Sequence, residues 1–221
     1  MIGVHKDFED RVAEINDYFI FIQKVEKGET VFTQYNSVGL AYKHQEQENL
    51  LRTFKASAFL LLYNLMESTV TNAVEAIFDE LTKQRTSFDS CRQEVRRVIL
   101  GNLKQCDIDK IIPNLNNLAT DVITKTFRKE KIVSGNVDAK QIKDVADKYG
   151  FAPPSADGRV LLTVKSNRND LAHGSKSFAE VGRDYTMEEI IIIQVNVIAY
   201  LDAMIKNVSI YINQQHYLSV Q

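Results

Sequence analysis

Apolar residues recur at three- and four-residue spacings along nearly the whole of the 221-residue chain, and only three prolines and nine glycines interrupt them. That period matches the 3.6-residue turn of an α-helix, whereas a half-buried strand needs an apolar residue at every second position, and few such runs of β-branched residues occur. The chain therefore reads as all-α. A first helix fits about 5 to 26, with Phe8, Val12, Ile15, Phe19 and Ile22 on one face and Gly28 at its end. A second fits about 45 to 84 and is so densely apolar from Phe54 to Leu81 that its middle must be buried.

Residues 86–157 read as shorter helices with polar breaks: about 88 to 104, about 107 to 130 with Pro113 disturbing it, and about 138 to 149 closing at Gly150. The stretch "GFAPPSADG" is a loop. After it, "RVLLTVKSNRNDLAH" makes a helix that stops at Gly174, where a left-handed cap belongs. "SKSFAEVGRDY" reads as a turn-rich link, and Thr186 with Glu189 then forms a capping box that opens a helix running to about 215. The start of that helix, "IIIIQVNVIAYL", is apolar on nearly all sides, as suits packing on several neighbours or across a dimer interface. The economical architecture is a single domain over 1–221. Its four-helix core uses helices near 5, 45, 158 and 186, and residues 86–157 form an inserted helical subdomain.

A hydrophobic content of 44% is ample for a buried core. No apolar run reaches the roughly 18 residues needed to cross a bilayer, and "MIGVHKDFED" lacks the features of a secretory signal, so a cytoplasmic protein with no membrane partner is expected. Cys91 and Cys106 are too far apart for a CxxC motif and read as reduced thiols. Neither a phosphate-cradling glycine loop nor a dinucleotide fingerprint nor a zinc motif is present, so no cofactor and no metal are expected. His5, His44 and His216 read as surface residues.

The net charge of −2 excludes a broad basic surface for non-specific nucleic-acid binding, so any such contact must be local. Residues 125–148 hold seven Lys and Arg against four Asp and Glu, which makes them the candidate positive patch or else an ordinary solvated surface.

Chemistry concentrates in "RNDLAHG", residues 168–174. Arginine offers a planar, permanently charged fork suited to phosphate, and histidine exchanges a proton near neutral pH. Together they are a minimal kit for cutting RNA without a metal: activate the 2′-hydroxyl, protonate the leaving oxygen, neutralise the phosphorane. On an ideal helix Asn169 and His173 lie about 40° apart, while Arg168 and His173 lie about 140° apart. Arg168 must then use its length, or the helix must deform, for both to meet one ligand. Asp170 adds a carboxylate to the motif as a supporting residue. On the long helix, Asn64, Glu67, Thr71 and Glu75 form one polar line, and Glu67 sits inside "LLLYNLMESTV", where a partly buried carboxylate needs a partner such as Arg168. A line that simply faces water fits the same spacing. Likewise, a polar helix end with a surface ion pair fits the bare Arg-to-His spacing, which is a weak motif by itself.

More residues give the motif its weight. Arg168 with Asn169 directly after it and His173 five residues on, ahead of the last long helix of an all-α bundle, resembles the paired catalytic positions of the HEPN superfamily of RNases. The surrounding "VKSNRNDLAHGSKSFAEVGRDYTMEEI" is similar to a stand-alone bacterial subgroup linked to phage defence and toxins, and "LLYNLMEST" to its second core helix, with Glu67 in the acidic position. The resemblance covers about 50–82 and 158–215 and implies RNA as substrate, a homodimer with the two motifs facing each other, and an antitoxin or other defence protein as partner. It assigns His173 as acid and base, Arg168 as the phosphate contact, Asn169 as a positioning group, and Glu67, Asp170 and Asn64 as supporting residues. A single histidine per chain agrees with the dimer, because a two-fold axis supplies the second proton-transfer group. Some members of the superfamily have lost catalysis and act as dimerisation or binding modules, so a silent module is the alternative.

Overall fold

The computed structural model describes residues 1–30, 44–104, 122–123, 127, 132 and 135–219. Its described helices are α1 (Ile2–Glu26), α2 (His44–Lys83), a 3-10 turn (Phe88–Ser90), α3 (Gln93–Leu103), α4 (Ala139–Tyr149), α5 (Arg159–Ala172), α6 (Phe178–Arg183) and α7 (Met187–Asn213). Among the described residues the only extended pairing is an isolated bridge between Cys91 and Leu218. The fold is all-α, as the apolar period requires. The expected helix over 107–130, with Pro113, and Cys106 lie outside the described residues apart from Val122 and Ile123, which are helical, and Phe127, which is not. In the basic stretch 125–148, residues 125, 126, 128–131, 133 and 134 lie outside them as well.

The chain divides into two compact units, each of which draws on α1, α2 and α7. One comprises Asp7–Met66 and Gly158–Ala199. Phe8, Ile15, Phe19 and Ile22 of α1, Phe59, Leu62, Tyr63 and Met66 of α2, Leu161 and Val164 of α5, and Ile190 and Val197 of α7 are all buried here. Polar contacts tie the helices at the edges of this core. The Tyr18 hydroxyl donates to the Phe54 carbonyl at 2.9 Å, Gln194 Nε2 donates to Asn16 Oδ1 at 2.8 Å, and Lys55 pairs with Glu26 at 2.7 Å. The four helices expected to make the core are thus those that meet in this unit.

Its connection into α7 differs from the sequence reading. The expected turn-rich link over 175–185 contains helix α6, opened by a capping box in which Ser177 Oγ accepts from the Glu180 amide while Glu180 reaches back to the Ser177 amide. A second box follows, as expected, between Thr186 and Glu189. Both glutamates titrate below the usual carboxylate range, because backbone N–H groups bond their charged form.

The other unit comprises Met1–Lys6, Glu67–Asp157 and Tyr200–Gln221. Here the single helix expected over 88–104 is broken. Phe88–Ser90 make a 3-10 turn, Arg92 is extended, and α3 begins only at Gln93. The cause is long-range pairing: the Arg92 amide donates to the Tyr217 carbonyl at 2.8 Å and the Ser219 amide to the Ser90 carbonyl at 2.9 Å, so the C-terminal segment takes an amide and a carbonyl that a continuous helix would have used. The Arg92 side chain reinforces this corner by bonding Glu94 and the carbonyl of Gly150. Tyr211 donates to the Tyr149 carbonyl at 2.7 Å, binding α7 to the end of α4. His5 is half-buried and hydrogen-bonded to Ser209 at 3.0 Å, which corrects its expected place as a surface residue. His216 is exposed.

Candidate functional site

Helix α5 carries Arg168, Asn169, Asp170 and the residue that ends it, His173. Its buried face, Leu161, Val164, Asn167 and Leu171, fixes how the helix is turned. Asn167 does more than fill space. Buried at 5% exposure, it donates from Nδ2 to the Tyr185 hydroxyl at 2.8 Å and to the Thr163 carbonyl at 3.0 Å. Tyr185 in turn leans on Phe59 of α2, with ring centroids 4.9 Å apart. A polar residue facing the core is tolerated because its donors are satisfied, and the bond to Tyr185, which lies outside α5, ties the helix to its surroundings.

Arg168 is half-buried and lies over the ring of Tyr63, its guanidinium carbon 4.3 Å from the centroid. Its Nη1 donates to Asn169 Oδ1 at 2.9 Å. The arginine and the asparagine after it, expected to act together, are directly bonded. Asn169 also accepts through its carbonyl from the His173 amide at 2.9 Å, so His173 stands one turn on from it.

His173 occupies the last position before the chain leaves the helix and is exposed. Gly174 then adopts φ +70°, a left-handed conformation that costs a residue with a Cβ and costs glycine little. The Ser175 amide reaches back to the Asp170 carbonyl at 2.9 Å, which closes the cap. The Asp170 carboxylate is 3.9 Å from Lys176, whose ammonium is 3.3 Å from Asp184. This places the Asp170 side chain at the turn beyond the helix, holding the loop that follows His173.

On α2 the residues of the polar line differ in exposure. Asn64 is exposed, Glu67, Thr71 and Glu75 are half-buried, and Tyr63, Met66, Val70 and Val74 beside them are buried. Glu67 is four residues beyond Tyr63 on the same helix and falls within the other compact unit.

Three residues of this arrangement escaped the sequence reading: Tyr63, Asn167 and Tyr185. The only signal for Asn167 is a polar residue on the apolar side of α5. Tyr63 and Tyr185 look like ordinary core aromatics until tertiary contact brings Arg168 and Asn167 to them.

Chemically, the unit offers a restrained cationic fork on α5 and an exposed imidazole at the end of the same helix. A fork of this kind binds a phosphate through two parallel N–H donors, and an imidazole at a helix end is open to a ligand approaching from solvent. Among the described residues no group of His, Cys, Asp or Glu has the arrangement of a metal site, and no helix is long and apolar enough to cross a membrane. Searches of curated proteins and of solved structures give no match to the chain. A family profile for the MAE_28990-like HEPN domain matches residues 4–217, so the chain belongs to the HEPN superfamily.

Proposed function

We propose that this protein is a metal-independent endoribonuclease, a toxin or phage-defence effector, that acts as a homodimer. The observation that carries the reading is the bonded Arg168–Asn169 pair, with Arg168 seated over Tyr63, on the helix whose end exposes His173. In the reaction one His173 takes the proton of a ribose 2′-hydroxyl, and the oxygen attacks the adjacent phosphorus. The P–O2′ bond forms, the P–O5′ bond breaks, and the leaving 5′-oxygen takes a proton from the His173 of the second copy. The products are a 2′,3′-cyclic phosphate and a 5′-hydroxyl, with no net gain or loss of protons. Arg168 stabilises the doubly charged phosphorane, whose charge exceeds that of the ground-state diester. Glu67, Asn64 and Asp170 are the supporting residues of this reading.

Association is favoured by α7, which exposes Ile192 at 59% and Val195 at 58%, and by Leu162 of α5 at 55%. Large apolar side chains left in water on helices of one unit suit burial against a second copy. In this reading the chain forms one domain with residues 86–157 as its insertion, acts in the cytoplasm, and is restrained by an antitoxin or another defence protein.

Purified protein incubated with RNA in EDTA tests the proposal. Cleavage with cyclic-phosphate ends, lost in His173→Ala and in Arg168→Ala, is expected; cleavage that persists in His173→Ala or needs added metal sinks it. The same apolar face also fits a catalytically silent dimerisation or binding module, and expression separates the two. The ribonuclease is poorly tolerated as wild type and tolerated as Arg168→Ala, whereas the silent module makes no difference between them.

A further inference from the structure

Tyr63 has no exposed surface, yet one face of its ring is occupied by a cation. A tyrosine buried this completely normally meets apolar neighbours on both faces. An arginine on a helix surface samples many rotamers, and fixing it on a phosphate costs affinity that a pre-ordered side chain does not lose. Here the Tyr63 ring and Asn169 both restrain Arg168 before any ligand arrives. The aromatic face holds the guanidinium carbon at 4.3 Å, and Asn169 holds Nη1 at 2.9 Å. The two restraints differ in kind. Asn169 fixes one edge of the fork through a directional bond, while the ring attracts the cation through its quadrupole and adds no opposing full charge. A ring is therefore well suited to orient a group whose positive charge is to be presented to a phosphate.

We infer that Tyr63 is a positioning residue: it holds the Arg168 guanidinium over a fixed point of the core, the point at which it meets a phosphodiester. The contribution to turnover rests on the ribonuclease reading above; the hold on Arg168 does not. The effect belongs to the aromatic face, so phenylalanine should preserve it and leucine, of similar apolarity, should not.

The test uses the full chain labelled with 15N-arginine, with the Arg168 Nε–H resonance assigned through its loss in Arg168→Lys. Wild type and Tyr63→Phe are expected to show that proton displaced by the ring current, and Tyr63→Leu to show it moved toward the position of a free arginine. In EDTA with RNA as substrate, and normalised to folded protein by circular dichroism, Tyr63→Phe should stay within about twofold of wild type. Tyr63→Leu should lose on the order of tenfold in kcat/KM. Rescue of both readouts by phenylalanine separates loss of the aromatic face from a general packing defect, because the resonance and the turnover then move together only when the ring is absent. An Arg168 resonance unchanged by Tyr63→Leu, or a Tyr63→Phe that loses as much turnover as Tyr63→Leu, overturns the inference. A wild type that shows the displaced resonance but cuts no RNA overturns the ribonuclease reading and supports the hold of Tyr63 on Arg168.

Discussion

Gly182 of α6 lies against the backbone of Arg52 on α2 so closely that a Cβ on Gly182 would fall 1.9 Å from the Arg52 carbonyl oxygen. No rotamer change relieves a clash with backbone, so only displacement of one helix accommodates any larger residue. Gly182→Ala is expected to destabilise the protein by about 3 kcal/mol or more. The control is Gly101 in α3, which has nothing within 4 Å of an added Cβ; there alanine should stabilise by about 0.5–1 kcal/mol through helix propensity. Thermal melts of the two variants should move in opposite directions, and a Gly182→Ala melt equal to wild type would show that α6 does not pack as described.

The bond between Arg168 and Asn169 predicts a graded effect on turnover. Asn169→Ala removes the acceptor for Nη1 and leaves the charge, so a loss of about 1–1.5 kcal/mol of transition-state stabilisation, on the order of tenfold in kcat/KM, is expected. Arg168→Lys keeps a charge but loses the fork, and should approach Arg168→Ala rather than wild type. A fully active lysine variant would show that only charge is needed.

Exposed Ile192 and Val195 on α7 predict the oligomeric state. Light scattering should find a dimer in wild type and a monomer in Ile192→Glu/Val195→Glu, with unchanged helical circular dichroism and at least a hundredfold lower cleavage at equal chain concentration, because each site would lack its second histidine. An active monomeric variant would contradict the shared site.

Cys91 is fully buried, and burial pushes its thiol up to about 11, with Arg96 opposing the shift only in part. Iodoacetamide at pH 8 should leave Cys91 unmodified in peptide maps of the native protein and modify it once denaturant is added. The linkage has a sign. The folded protein disfavours the thiolate, so the stability associated with this group is present below the ordinary value of 9.0 and is lost as pH rises toward about 11. Denaturant midpoints should therefore fall across that interval more in wild type than in Cys91→Ala.

Much of the fold was legible because helix formation and capping are local. The apolar period placed α1, α2 and α7 to within a few residues, and the T-x-x-E box at Thr186 marked the start of α7. The same logic applied to S-x-x-E at Ser177 reveals α6, which the abundance of small and polar residues in that stretch concealed. The break ahead of α3 was not legible. Arg92 is extended because its amide bonds the carbonyl of Tyr217, 125 positions along the chain, and no local pattern encodes that pairing.

The candidate site divides along the same line. Sequence by itself determined that Arg168, Asn169 and His173 share one helix end and that Gly174 terminates it, since spacing and the steric freedom of glycine decide both. Tertiary structure alone decided that Arg168 rests on Tyr63 and that Asn167 turns inward to Tyr185. Those contacts join residues 105 and 18 positions apart, and only the packing of α5 against the rest of its unit brings the groups within the few ångströms over which a ring quadrupole or a hydrogen bond acts.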